Sequence, residues 1–188
     1  MRLTANELTA MASVMGDDGP QLCRRLSIPE PTPEALSPGM SSLYARELLV
    51  DSDDGLTLVN EVTAAVGLAA TAELALRLTR AGDKEFGSSQ LHAGEFGAVV
   101  ISPLGMGCFD IAFLDQDVDV ATMVDLAATA ALETDNAAFV ITNIDTGKSS
   151  VVRRSSGATS IHRPDEGDFT AVAGTLEWHV EINMLAVV

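Results

Sequence analysis

Apolar positions recur with two different periods along the chain, and the changes from one period to the other lay out the expected elements. Near the start, Leu8, Met11 and Met15 fall at helical spacing. Thr4 and Glu7 precede them as T-x-x-E, a capping box in which each side chain satisfies an otherwise orphaned backbone N–H. Gly16 is the expected stop. Residues 17–40 then hold five of the seven prolines. Proline has no N–H and a fixed φ, so this segment is expected to be an irregular, extended connection. A short helix is expected from Ser41 to Val50, with Leu43, Leu48 and Leu49 as candidates for burial. Asp51-Ser52-Asp53-Asp54-Gly55 reads as a turn whose carboxylates favour the N-terminus of a following helix. In that helix Leu56, Val59, Val62, Val66 and Ala70 share one face.

The period then shortens to two. Leu74, Leu76 and Leu78 alternate with Ala75, Arg77 and Thr79, the pattern of a half-buried strand. The polar, glycine-containing stretch Ala81 to Ser89 is expected to be a loop. Ala98 to Ser102 is a compact apolar run suited to a central strand. After a Gly105-Met106-Gly107 turn, Phe109, Ile111 and Phe113 alternate again. A helix from Asp119 to Leu132 puts Val120, Met123, Ala127 and Ala130 in phase. Phe139 and Ile141 then share a strand face, Asp145-Thr146-Gly147 makes a turn, and Val151-Val152 lie on the return strand. Ala158 to His162 suits a further strand. In the last segment Phe169, Val172, Leu176 and Val180 suit a helix, while Leu176, Trp178, Val180 and Ile182 suit a strand. A helix from about Asp168 is favoured, although Gly174 weakens it by about 1 kcal/mol. The order helix, sheet, helix, sheet, helix, with short turns between strands, predicts an α+β domain: two loosely related lobes, 41–118 and 119–188, of antiparallel strands flanked by helices.

Composition narrows the function classes. With 47% hydrophobic residues and a mean hydropathy of +0.23, the chain has ample material for a core and does not fit the disordered class. No apolar run approaches the roughly 18 residues of a membrane-spanning helix. The opening Met1-Arg2-Leu3-Thr4 does not read as a signal peptide, so a cytoplasmic location is expected. The formal charge of −16 would repel phosphate backbones, which argues against nucleic-acid binding. Cys23 and Cys108 lie far apart with no C-x-x-C, so buried free thiols are expected. Arginine outnumbers lysine, as is common in GC-rich actinobacterial genomes; that link is compositional only.

Several motifs invite a chemical reading, and each lacks a necessary part. Asp115-Gln116-Asp117-Val118-Asp119 opens like a calcium loop, but Val120 stands where the turn needs glycine and Leu126 where a bidentate glutamate belongs. It is expected to be a solvated turn whose last aspartate caps the next helix. Asp145-Thr146-Gly147 matches the D-T-G of aspartic proteases, but Lys148 follows it and no second signature occurs. Gly147-Lys148-Ser149 resembles the end of a P-loop, but Thr142 replaces the required upstream glycine and a strand pattern follows. Gly105-x-Gly107 lacks the third glycine of a dinucleotide fingerprint. His92, His162 and His179 show no metal-ligand spacing and are expected as partly exposed strand residues. No G-x-S-x-G elbow is present, and a hydrolase would need a histidine beside a serine or a cleft holding Asp145. No catalytic residue, metal or cofactor is therefore expected, and a binding protein is favoured over an enzyme.

As an ordered pattern the chain resembles the EspG family, cytoplasmic chaperones of the ESX (type VII) secretion systems of actinobacteria. The likeness rests on the opening Leu3-Thr4-Ala5-Asn6-Glu7-Leu8, on Leu43-Tyr44-Ala45-Arg46-Glu47-Leu48-Leu49-Val50 with Asp53-Asp54-Gly55, and on the helix and strand that follow to Thr79. The stretch from Phe139 to Lys148 and the approach from Asp165 to Leu176 are also similar. Two departures stand out: family members are generally longer, and Glu47 occupies a place where the pattern often has glycine. The resemblance implies two quasi-symmetric α+β lobes around a central sheet. It also implies a function, binding the apolar tip of a helical PE–PPE heterodimer before export. The family's strand–strand loop corresponds loosely to Ala81–Ser89, which points to Asp83, Lys84, Glu85 and Phe86 as partner-binding residues; the alternative is an ordinary loop with Phe86 tucked inward. The alternative is an acidic, immunity-type binding module with no secretion role, which masks a basic toxin.

Overall fold

The computed structural model describes residues 1–53, 55–82, 86–114, 119–164, 166–172 and 174–186. In chain order the elements begin with β1 (Arg2–Thr4), α1 (Ala5–Val14), a single 3-10 turn (Gly16–Asp18), α2 (Gly19–Leu26) and α3 (Pro33–Ala45). Then come β2 (Leu49–Ser52), β3 (Gly55–Leu58), α4 (Asn60–Thr71), β4 (Leu74–Ala81), β5 (Phe86–Gly94), β6 (Gly97–Gly105) and β7 (Cys108–Phe113). The chain closes with α5 (Val120–Ala131), β8 (Ala137–Asn143), β9 (Ser149–Ser155), β10 (Ala158–His162), β11 (Thr170–Ala171) and α6 (Trp178–Ala186). The protein is α+β, and every strand pairing described is antiparallel. The chain forms two compact units, and neither is a continuous stretch: Met1–Glu73 with His92–Leu114, and Leu74–Leu91 with Asp115–Val188.

The first unit has strand order β1-β7-β6-β5, with the separate β2–β3 hairpin. Its core gathers Leu3, Leu8 and Met11 with Leu22, Leu43, Val62, Val66, Val99, Ile101 and Ile111. The capping box at α1 forms as expected: the Thr4 hydroxyl accepts from the Glu7 N–H, and the Glu7 carboxylate accepts from the Thr4 N–H. The expected irregular connection over 17–40 is overturned by α2 and α3. Pro20 and Pro33 sit in the first turns of these helices. There the missing N–H has no partner to lose and the fixed φ is already helical. Pro38 lies inside α3 and is followed by Gly39, whose added Cβ would fall 2.1 Å from the Asn6 carbonyl oxygen of α1. That close approach requires glycine and packs α3 on α1.

The helix expected over Ser41–Val50 is the end of α3, which stops at Ala45. Arg46 is its C-cap, and Glu47 takes the left-handed conformation with φ +58. The Leu48 N–H donates to the Leu43 carbonyl and the Glu47 N–H to the Tyr44 carbonyl, the double bond pattern of a Schellman end. The turn expected over Asp51–Gly55 does not cap a helix, because the residues on either side of it form the β2–β3 hairpin. Ser52 pairs with Gly55, and Leu56 lies on β3.

The second unit has strand order β5-β4-β8-β9-β10-β11. β5 gives residues 86–91 to this unit and residues 92–94 to the first. Ala137, Phe139, Ile141 and Asn143 alternate on the buried face of β8. On that face Trp178 of α6 meets Phe139 edge-on, with ring centroids 5.7 Å apart. Asp119 caps α5 by accepting from the Thr122 N–H at 3.1 Å. The final segment is helical, but α6 starts at Trp178 and not near Asp168. Thr170–Ala171 pair with β10 instead, and Gly174 takes φ +99. Among the described residues, no helix is long and apolar enough to cross a membrane.

Candidate functional site

Of the four residues to which the resemblance points, Asp83, Lys84 and Glu85 lie outside the described residues. Phe86 opens β5 with 79% of its surface in solvent. The expected loop over 81–89 is corrected at both ends, because Ala81 closes β4 and β5 begins at Phe86. A Cβ at Gly87 would come within 2.7 Å of the Arg80 guanidinium, a flexible group that can move aside. A benzyl group at a strand end keeps its apolar area in water, and a single exposed aromatic of this kind is ordinary on a protein surface.

The first unit holds a second exposed apolar feature, an open cleft of about 410 Å³ between α3 and the β2–β3 hairpin. Met40, Tyr44 and Ala45 line it from the helix, and Leu49, Asp51 and Leu56 from the hairpin. Tyr44 and Leu56 are each 53% exposed. The Tyr44 hydroxyl donates to Asp51 Oδ2 at 3.0 Å. That hydrogen bond, and next the aspartate's charge, hold the phenol above its ordinary range. Sequence periodicity missed this site because it placed Leu56 in the following helix. The signal that could have found it is Gly55 as the end of a tight turn, which puts Leu56 and Leu58 on a return strand.

The motifs with a chemical look resolve into structure. Asp145-Thr146-Gly147 is the β8–β9 turn. Asn143 Oδ1 accepts from the N–H groups of Asp145 and Thr146, both at 3.0 Å, and the Thr146 hydroxyl donates to the Leu185 carbonyl of α6. Met106-Gly107 is the two-residue turn between β6 and β7, with both residues at positive φ. Residues 115–118 of the calcium-like stretch lie outside the described residues, and Asp119 serves as the α5 cap. The expectation of partly exposed strand histidines fits His162. It fails for His92, which is buried on β5, and for His179, which is exposed on α6. Cys23 is a buried free thiol, whereas Cys108 is only half-buried. Burial first, and the nearby Glu30 second, push the Cys23 thiol up, away from the reactive thiolate.

The buried charged groups also have structural tasks. Burial alone would raise the Glu7 carboxyl, but hydrogen bonds from the Thr4 N–H, Ser42, Arg46 and the Thr4 hydroxyl outweigh it and hold Glu7 below the ordinary range. The Arg25 guanidinium donates to the Ala69, Ala70 and Ala72 carbonyls at 2.8–2.9 Å, closing the C-terminal end of α4. Glu181 on α6 receives a forked pair from Arg163, with Nη2 at 2.7 Å from Oε1. The hydrogen bond to Glu181 raises the guanidinium further. Among the described residues, no group of three or more His, Cys, Asp or Glu side chains is placed to hold a metal ion. No protein-family model matches the chain, and no curated protein matches it.

Proposed function

We propose that the protein is a cytoplasmic chaperone or adaptor that holds helical PE–PPE-like substrates of a type VII secretion system before export. The observation that carries this reading is the exposed Phe86 at the start of β5, in the region to which the resemblance assigns partner contact. An apolar helical tip would aggregate in water, and a large apolar side chain on a strongly charged protein can cover it. Glu47 lends further support. The family pattern often has glycine here, and this position has φ +58, where glycine is the natural occupant.

The formal charge of −16 favours a second reading, in which an acidic surface masks a basic partner. The two differ in their response to salt. Apolar tip binding survives raised ionic strength, whereas charge masking weakens steeply. The test is titration of the purified protein with a recombinant PE–PPE heterodimer, at low and high salt, with stoichiometry read by light scattering. A defined complex that tolerates salt and is lost in Phe86→Asp is the expected result. No complex, or one that dissolves in salt and ignores Phe86→Asp, would refute the chaperone reading.

A further inference from the structure

We infer that the cleft between α3 and the β2–β3 hairpin takes the apolar end of a partner helix that carries lysines or arginines beside it. This rests on the chaperone reading and deepens it, by naming a surface of the first unit and the chemistry of what that surface holds.

Three observations lead there. The cleft volume of about 410 Å³ is within the range of preformed ligand clefts and has room for a large apolar side chain. Its walls combine a buried leucine, Leu49, with a half-exposed leucine, Leu56, and a half-exposed aromatic ring, Tyr44. The ring is pinned by its bond to Asp51. A rigid aromatic with one polar tip loses little entropy on binding and suits an interface anchor. A helix laid in a groove and held by apolar anchors is a recurrent mode of recognition.

Charge selects the occupant. Between Leu26 and Leu76 the sequence holds eight carboxylates against one basic residue, Arg46. Arg46 is already engaged with the Glu7 carboxylate and the Arg2 carbonyl. Glu47, Asp51 and Asp53, at the end of α3 and on the hairpin, are all exposed. The cleft therefore has one carboxylate, Asp51, in its wall and exposed carboxylates at Glu47 and Asp53 in the same stretch of chain, which favours basic side chains over acidic ones. The same field disfavours a second copy of this acidic chain. Glu47 adds to the case, because it keeps an exposed carboxylate between the lining residues Ala45 and Leu49 at a left-handed backbone position that costs stability.

The test titrates the isotope-labelled full chain with a short synthetic helix bearing a terminal leucine flanked by lysines, and with its twin flanked by glutamates. The expected result is saturable shifts confined to Met40, Tyr44, Leu49, Leu56 and their neighbours. The glutamate twin, and separately Leu56→Asp, should each weaken affinity by about tenfold or more. Asp51→Asn should weaken it too, and added salt should lower affinity for the lysine peptide only to the level of an uncharged twin, because the leucine in the cleft is not screened. Leu56 is half in solvent, so its variant is expected to fold, which the same spectra report. Equal binding of the two peptides, indifference to Leu56→Asp, shifts scattered elsewhere, or no saturable binding would each overturn the inference. Concentration-dependent shifts at the cleft without peptide would identify a second copy as the occupant and overturn it as well. The peptides are not secretion substrates, so failure here leaves the chaperone reading standing. Failure of a PE–PPE heterodimer to bind leaves the peptide result standing.

Discussion

Arg46 Nη1 lies 2.8 Å from Oε1 and 2.9 Å from Oε2 of the buried Glu7 carboxylate, joining the end of α3 to the first turn of α1. Ser42 donates to the same carboxylate at 2.7 Å. Removing the charge leaves these donors poorly matched. Glu7→Gln should cost about 2 kcal/mol, the loss typical of hydrogen bonds to a charged group. The folded-state pKa of Glu7 is lowered, so its contribution is fully present above the ordinary carboxylate value of about 4.3. It is lost as pH falls through the folded pKa. Urea melts of both proteins against pH should show a constant gap near neutrality that narrows only below about pH 4.3. A gap that persists at low pH would contradict the assignment.

Arg25 predicts a larger loss. Its guanidinium is 2% exposed and serves three carbonyls at the end of α4. Arg25→Met fills similar space but leaves those carbonyls buried without their donor. The expected cost is about 2–4 kcal/mol, from several unsatisfied groups at about 1–3 kcal/mol each with partial relaxation. Denaturant unfolding at neutral pH measures it. A loss below about 1 kcal/mol would mean that water replaces the guanidinium.

Glu47→Gly should stabilise the protein. At φ +58 a side chain is strained and glycine is not. Part of the gain is returned as added freedom of the unfolded chain, leaving about 0.5–1 kcal/mol net. A rise in the thermal midpoint would be the sign. The same variant should weaken the lysine peptide in the cleft, since it removes an exposed carboxylate from the stretch between the lining residues Ala45 and Leu49.

Much of the fold was legible in the sequence because its signals are local. The Thr4–Glu7 capping box, the Asp119 cap and the alternations at Leu74–Thr79 and Phe109–Phe113 all depend on neighbours a few residues apart. The errors arose where distant contacts decide. Proline density suggested an irregular segment over 17–40, but proline is harmless in a first turn, and the contact of Gly39 with α1 is invisible in sequence. Phe86-Gly87-Ser88-Ser89 has weak strand propensity and becomes a strand because β4 pairs beside it. Glu7 was recognised as a capping residue, but its partners Ser42 and Arg46 lie 35 and 39 residues away. Of the candidate site, Phe86 was legible as an unusual apolar residue among charges. The cleft was not, because it depends on where one helix ends and a hairpin begins.

Trp178 offers a built-in reporter. It is the chain's one tryptophan, buried against Phe139, with its indole N–H donating to Asp125 at 2.9 Å. Trp178→Phe keeps part of the aromatic contact and loses the hydrogen bond. It should cost about 1.5–3 kcal/mol, as for a bond to a charged acceptor. In the parent protein, fluorescence should be blue-shifted when folded and move to the red on unfolding. An emission maximum unchanged by denaturant would contradict the packing of α6.

A chaperone of the proposed kind keeps an aggregation-prone helical substrate soluble through exposed apolar contacts. The most direct measurement is light scattering of a recombinant PE–PPE heterodimer diluted into physiological salt, alone, with the parent protein, and with Phe86→Asp. The parent protein should suppress scattering at a fixed ratio, and the variant should lose that suppression with its stability unchanged. Equal scattering in all three samples, or equal protection by parent and variant, would contradict the chaperone reading.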